Sequence, residues 1–118
     1  MGHPFNLDHI DVVIANAGAA KGFRSVLSTP IEDIRDDFET NTLGTIKLFQ
    51  ATHRLLSNGR EPQFVFISSI VGSIRKQFSH TTSYGISKAA ANYAIRQIHI
   101  EQSRIIAYAI HPGYVISI

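Results

Sequence analysis

The sequence predicts an α/β protein built on a three-stranded parallel sheet flanked by helices. Three short apolar segments alternate with two longer segments of helical periodicity, in the order strand, helix, strand, helix, strand. Each connection is long enough for the crossover that parallel pairing requires, and the right-handed crossover rule packs the helices on the sheet. With 118 residues, 44% of them hydrophobic, the chain fits one domain.

The first predicted strand, residues 10–17, is a continuous run of mostly apolar residues. Continuous rather than alternating hydrophobicity predicts a strand buried on both faces. The first helix is predicted over residues 30–57, where apolar side chains recur at helical spacing. We expect Thr29 as its N-cap, Pro30 at its first position and Glu32 to complete a capping box.

The second half of the chain repeats this alternation. A second buried strand is predicted over residues 63–68, followed by a polar and basic loop over residues 73–82. The second helix is predicted over residues 83–102 and the third strand over residues 104–110. A Pro-Gly pair follows the third strand and predicts a turn there.

Tyr84 and Lys88 are the pair of residues in this sequence with the clearest chemical meaning. At i and i+4 of a helix, their side chains share one face about one turn apart. A neighbouring cation favours an ionised phenol, so the tyrosine can serve as a proton donor or acceptor. Taken alone, the pair is equally consistent with the exposed face of an amphipathic helix.

Small and polar residues follow all three predicted strands. In parallel sheets, ligands bind beyond the carboxyl ends of the strands. Each of these ends has a simpler explanation as a turn or a cap. Their coincidence at one edge of the sheet, where the helix of Tyr84 also begins, predicts a ligand site. The three ends are Asn16-Ala17-Gly18, Ser68-Ser69 and His111-Pro112-Gly113.

Composition argues against several classes of function. The net charge is only +2 and the basic residues are scattered, which does not predict binding to nucleic acid or to a membrane. There is no cysteine, and the six histidines are dispersed, so no metal site is predicted. No apolar run reaches membrane-spanning length and no signal peptide is recognisable, so we expect a cytoplasmic protein.

Taken together, these segments resemble the short-chain dehydrogenase/reductase family over residues 10–117. The details look most like its fungal branch of the norsolorinic acid ketoreductase type. The resemblance implies a partial Rossmann-type, doubly wound parallel sheet and an NAD(P)-dependent oxidoreductase acting on a carbonyl or a secondary alcohol. The matching motifs are Asn16-Ala17-Gly18, Asn41 with Gly44, Ser68-Ser69 with Gly72, Tyr84-Gly85-Ile86-Ser87-Lys88 and Pro112-Gly113-Tyr114-Val115.

Four catalytic residues are implied by this resemblance: Asn41, Ser69, Tyr84 and Lys88. Tyr84 would exchange a proton with the substrate oxygen while the nicotinamide exchanges a hydride. Lys88 would stabilise the ionised phenol and bind the nicotinamide ribose, and Ser69 would donate a hydrogen bond to the substrate oxygen. Asn41 would hold a water that links the lysine to solvent. The alternative for Asn41 is a tolerated surface residue.

The resemblance also implies a cofactor, NADP or NAD, with NADP favoured. The residues that follow the first predicted strand would lie beside the adenosine half of the cofactor. Those that follow the third strand would approach the nicotinamide. Ser117 stands where the family usually has threonine and keeps the hydroxyl. The implied cofactor-binding residues are Asn16, Ala17, Gly18, Tyr84, Lys88, Pro112, Gly113, Val115 and Ser117.

Residues 1–118 are expected to form an incomplete domain of this family. Its members are longer at both ends and begin with a strand, a Gly-rich phosphate loop and a helix, and no such glycine motif occurs in this sequence. An incomplete sheet is expected to expose apolar edges and faces. The alternative function is therefore an inactive remnant that serves as an interaction module. In either case the resemblance implies that the two long helices can pair subunits, so a homo-oligomer is expected.

Overall fold

The computed structural model describes residues 7–16, 18, 20–69, 79–111 and 114–116. They form one sheet whose strand order follows the chain. The first three strands pair in parallel, as predicted, and the fourth runs antiparallel to the third. The fourth strand was not predicted. The strands are β1 (Val12–Ala15), β2 (Gln63–Ile67), β3 (Ile106–His111) and β4 (Tyr114–Ile116).

Helices cover one face of this sheet and form the core with it. Pairing sets Val13 opposite Phe64, and Phe64 opposite Ala107, so these three side chains lie in one row. Phe64 and Phe66 are fully buried, and the helices contribute further buried side chains against them. The helical contributions to this core are Leu56, Ala91, Ile95 and Ile98.

The opposite face of the sheet is partly exposed, which corrects one prediction. The side chains of β2 are largely buried on both faces, as expected for a central strand. In β1, however, Val12 and Ile14 are 48% and 58% exposed, and in β3 Ile106 is 49% exposed. The prediction that β1 is buried on both faces is therefore wrong for the described residues, whereas the expected exposed apolar face is confirmed.

The first predicted helix is present, but it is not α-helical throughout. It comprises α1 (Ile31–Asp37), a π-helical segment (Phe38–Leu43) and α2 (Gly44–Ser57), which follow one another without a break. The second is α3 (Thr82–Glu101), within one residue of its prediction. The predicted loop before α3 lies largely in residues 70–78, which are outside the described residues.

The predicted start of the first helix is wrong. Pro30 is the N-cap rather than the first helical residue, and no side chain caps the helix there. The hydroxyl of Thr29 donates instead to the carbonyl of Ser25, at 2.6 Å. Because this bond closes a turn in the preceding loop, Thr29 is not available to cap the helix.

In the described part of the chain, we find no helix with the length and apolar character needed to cross a membrane.

Candidate active site

Lys88 is buried at the carboxyl end of β2, although it lies on the same helix face as the half-buried Tyr84. Its side chain is only 4% exposed, and Nζ donates a hydrogen bond to the carbonyl of Ile67 at 3.2 Å. The same Nζ lies 4.8 Å from the ring centroid of Phe66 and 5.6 Å from that of Tyr84. An exposed, solvated helix face is therefore the wrong interpretation of this pair.

Burial also changes the acid–base properties of this lysine. Removal from water disfavours the charged amine, so burial lowers the pKa of Lys88 below its ordinary value. The two aromatic rings and the Ile67 carbonyl partly offset this cost, because ring faces and carbonyl oxygens attract a cation. The site thus holds an ammonium group in a largely apolar, partly shielded place.

Asn41 lies in the π-helical segment and is fully buried. Its Nδ2 donates to Oγ of Ser87 at 2.9 Å, and that Oγ donates in turn to the carbonyl of Tyr84 at 2.8 Å. The neighbouring Thr42 donates through Oγ1 to the carbonyl of Ser87 at 2.7 Å. These bonds join the π-helical segment to the first turns of α3, so the interpretation of Asn41 as a surface residue is wrong.

Gly18 borders both polar groups. A Cβ placed on Gly18 would lie 3.5 Å from Nζ of Lys88 and 3.7 Å from Oδ1 of Asn41. Asn16 is exposed directly after β1. The structure therefore brings the loop that follows β1 to the lysine and the asparagine. Ala17, between the two, lies outside the described residues.

The structure describes only some of the other predicted site residues. Ser69 is half-buried, two residues after β2, and its neighbour Ser68 donates through Oγ to Oδ1 of Asn92 at 2.9 Å. Val115 lies in β4, where its backbone pairs with Ile110 of β3. Pro112, Gly113, Ser117 and the motif residue Gly72 are outside the described residues, so their predicted roles stay predictions.

Sequence reasoning missed several of the buried polar residues, among them Asp37, Thr42 and Ser87. Ser87 could have been predicted, because it lies between Tyr84 and Lys88 in the motif and a serine inside a helix needs a local hydrogen-bond partner. Asp37 and Thr42 carried no such signal. Each lies between a polar and an apolar residue, as is common on a partly exposed helix.

Across the described residues, no group of three or more histidine, cysteine, aspartate or glutamate side chains is arranged to hold a metal ion.

The arrangement defines a class of protein. A parallel sheet with helices packed on it, and with polar side chains gathered where its strands end, is a domain of the Rossmann type. More specifically, the chain belongs to the short-chain dehydrogenase family, whose model matches residues 4–117.

Named relatives agree with this membership. The chain is 34% identical over 115 residues to a norsolorinic acid ketoreductase of Emericella nidulans, covering 94% of this chain and 44% of the relative. It is 35% identical over 112 residues to the norsolorinic acid ketoreductase of Aspergillus parasiticus, covering 91% and 41%. The chain thus spans less than half the length of these relatives, and its resemblance to the fungal branch is confirmed.

A solved structure shows the same fold. The NADPH-bound carbonyl reductase from chicken fatty liver is 27% identical, with a TM-score of 0.82, and the match covers 90% of this chain and 45% of that one. The prediction of a partial Rossmann-type sheet is therefore confirmed.

Proposed function

We propose that the protein is an NADP-dependent oxidoreductase that interconverts a ketone and a secondary alcohol, with Tyr84 as its proton donor and acceptor. The observation that carries the proposal is the buried ammonium of Lys88, 5.6 Å from the ring of Tyr84 at the carboxyl end of β2. A buried cation next to a phenol has a chemical purpose that an exposed pair lacks. It supplies positive charge near the oxygen that would carry negative charge during proton transfer.

In the reduction direction, Tyr84 donates its proton to the carbonyl oxygen as a hydride reaches the carbonyl carbon. The hydride is what the reduced nicotinamide supplies when it is bound. The products are the alcohol and the oxidised nicotinamide, and the tyrosinate regains its proton from solvent. Lys88 stabilises the tyrosinate during this cycle. In the oxidation direction, Tyr84 accepts the proton of the alcohol instead.

Ser69 and Asn41 complete the proposed catalytic group. Ser69 follows β2 by two residues, a position from which its hydroxyl can donate to the substrate oxygen as negative charge develops there. Asn41, buried between the helices and bordering Gly18 beside Lys88, has a carbonyl oxygen suited to holding a water next to the ammonium.

The donor set fits the nicotinamide half of the cofactor. Gly18 offers bare backbone beside Nζ of Lys88, so a ribose hydroxyl can approach that ammonium closely. Asn16, Ala17 and Gly18 itself are proposed beside the adenosine half. Pro112, Gly113, Val115 and Ser117 are proposed for the nicotinamide. The names of the relatives support a ketone substrate and NADP rather than NAD. They give no support to the alternative of an inactive interaction module.

A homo-oligomer through the two long helices belongs to the same proposal. Three large apolar side chains stand seven residues apart on α3, and so form one exposed stripe along it. They are 47%, 70% and 61% exposed. Such a stripe suits pairing with a second copy. Its members are Ile86, Tyr93 and Ile100. We also keep the cytoplasm as the proposed location, to be checked by cell fractionation.

The test compares Tyr84→Phe with the matched control Tyr93→Phe, which removes a hydroxyl from an exposed position of the same helix. NADPH and NADH are first titrated into the purified chain, and NADPH oxidation is then followed with a panel of ketones. General acid–base catalysis contributes about 10²- to 10⁴-fold, so Tyr84→Phe should lose that factor in turnover and keep its affinity for NADPH. Undiminished turnover in Tyr84→Phe would contradict the proposal.

A further inference from the structure

A buried carboxylate lies outside the proposed catalytic group. Asp37, the last residue of α1, is fully buried. Its Oδ1 and Oδ2 lie 3.1 and 3.5 Å from the backbone nitrogen of Lys21, which donates to them. Hydrogen bonds to charged groups are stronger than neutral ones, so this contact ties the loop of residues 20–29 firmly to the helix.

The same loop has a second attachment, to the helix of Tyr84. Thr82, the first residue of α3, donates through Oγ1 to the carbonyl of Arg24 at 3.1 Å. Within the loop, the backbone nitrogen of Thr29 donates to the carbonyl of Ser25 at 3.0 Å and closes a turn. The loop is therefore held at both sides of Phe23, by Asp37 on one side and by the start of α3 on the other.

Phe23 stands at the point that these attachments fix. Its ring centroid lies 6.1 Å from that of Tyr84, with an angle of 61° between the ring planes. Despite this contact, Phe23 is 61% exposed, and the loop continues into Val26 and Leu27, which are 81% and 98% exposed. An exposed aromatic ring thus lies against the ring of Tyr84, on a loop with further exposed apolar side chains.

From this geometry we infer that Phe23 is a wall of the substrate site that favours aryl ketones, and that Asp37 is the residue that positions this wall. The inference rests on the proposed function, because it assumes that the reacting carbonyl of the substrate lies at the phenol of Tyr84. An aryl group attached to the reacting carbonyl would contact the exposed face of the Phe23 ring while the carbonyl oxygen meets the phenol. Aromatic pairs prefer such offset or edge-on contacts and gain more than their buried area alone provides.

The probes are two ketones that differ only in the ring: acetophenone and cyclohexyl methyl ketone. Binding is followed by NMR through the ring signals of Tyr84, which are identified by their loss in Tyr84→Phe. The additional energy of an aromatic pair corresponds to a preference of about two- to tenfold for acetophenone. Phe23→Leu, which keeps an apolar side chain but loses the ring, should bind both ketones equally. An unchanged preference in Phe23→Leu would overturn the inference.

Two variants separate the role of Asp37 from a general effect on folding. Asp37→Asn keeps an oxygen that accepts from the Lys21 nitrogen, whereas Asp37→Ala removes it. We expect Asp37→Asn to retain the preference for acetophenone and Asp37→Ala to lose it. If Asp37→Ala, folded by circular dichroism, keeps the preference for acetophenone, the positioning role is wrong. If Asp37→Ala fails to fold, Lys21→Pro decides in its place, because proline removes the backbone N–H that donates to Asp37.

The binding measurement needs no hydride transfer. A negative result there can therefore be distinguished from a negative result in the turnover assay, which tests the proposed function. A ring preference that depends on Phe23, without any turnover of NADPH, supports the wall and rejects the enzymatic proposal. Turnover that depends on Tyr84, with equal binding of both ketones, does the reverse.

Discussion

Replacing Ser87 by alanine tests whether the bonds between the π-helical segment and α3 hold the site together. The Ser87 side chain is fully buried, and its hydroxyl accepts from Asn41 Nδ2 and donates to the Tyr84 carbonyl. Loss of the acceptor of a buried donor costs about 1–3 kcal/mol. Alanine favours the helix over serine by about 0.5 kcal/mol. The expected net loss in the free energy of unfolding is therefore about 0.5–2.5 kcal/mol.

The assay is urea unfolding followed by circular dichroism, with thermal unfolding beside it. For a domain of this size, about 1 kcal/mol corresponds to a change in Tm of about 4 °C, so we expect Ser87→Ala to melt about 2–10 °C lower. The matched control is Ser103→Ala, an exposed serine just after α3. Exposed substitutions of this kind usually stay within about 0.5 kcal/mol.

A double-mutant cycle then identifies the cause. Asn41→Leu removes the amide that donates to Ser87, so the Ser87→Ala change should cost less in the Asn41→Leu background than in the natural one. Residues that share a hydrogen bond typically couple by about 0.5–3 kcal/mol. If the losses in the free energy of unfolding of the two single variants add up in the double variant, the two residues are not coupled. If Ser87→Ala is as stable as Ser103→Ala, these hydrogen bonds do not stabilise the fold as proposed.

Three further predictions concern other parts of the fold. Since burial lowers the pKa of Lys88, the unfolded chain binds more protons between the two pKa values, and stability there rises with pH. Lys88→Met should therefore have a higher free energy of unfolding than the natural chain at pH 7. In urea unfolding at alkaline pH this difference should narrow, and a difference that widens would contradict the argument. Gly59→Ala would place a Cβ 2.9 Å from the carbonyl oxygen of Ile10 and should cost about 1–3 kcal/mol in urea unfolding, unlike the unobstructed Gly22→Ala. Tyr93→Ser should shift the mass in light scattering towards the monomer, and an unchanged mass would contradict pairing through the α3 stripe.

The regular elements could be predicted because their patterns are local. Apolar runs gave β1, β2 and β3 to within about two residues, and helical spacing gave both long helices. The fourth strand was missed because β4 has only three residues, too few for a periodic signal. The Pro-Gly pair between two apolar segments was the available indication of a hairpin.

Burial was harder to predict than secondary structure. The apolar run of β1 does not reveal that one of its faces is exposed, because the sequence of a strand does not show what packs on it. Val12 and Ile14 are as apolar as Val13, yet only Val13 faces the helices. A local pattern predicts that a strand forms. Which of its faces is buried depends on elements that are far away in sequence.

The candidate site was predictable to the extent that its chemistry lies on one helix. Tyr84 and Lys88 are one turn apart, so their proximity follows from helical geometry. The burial of Lys88 does not, since the carbonyl of Ile67 and the ring of Phe66 come from another element. For the same reason Asp37 could not be found, because its partner is the backbone of Lys21, 16 residues earlier.

The π-helical segment explains how two adjacent residues come to bind one residue of α3. Asn41 and Thr42 both contact Ser87, the first at its hydroxyl and the second at its carbonyl. Consecutive side chains of an α-helix diverge by about 100°. A π-helix bonds i to i+5 and so has more residues per turn, which makes this divergence smaller. Since the hydroxyl of Thr45 donates to the carbonyl of Asn41, at 2.9 Å, the polar backbone of this unusual segment is also bonded. The π-helical geometry therefore brings both polar groups to α3 one residue before Lys88, and helix-to-helix contacts as well as the strand end fix the position of the lysine.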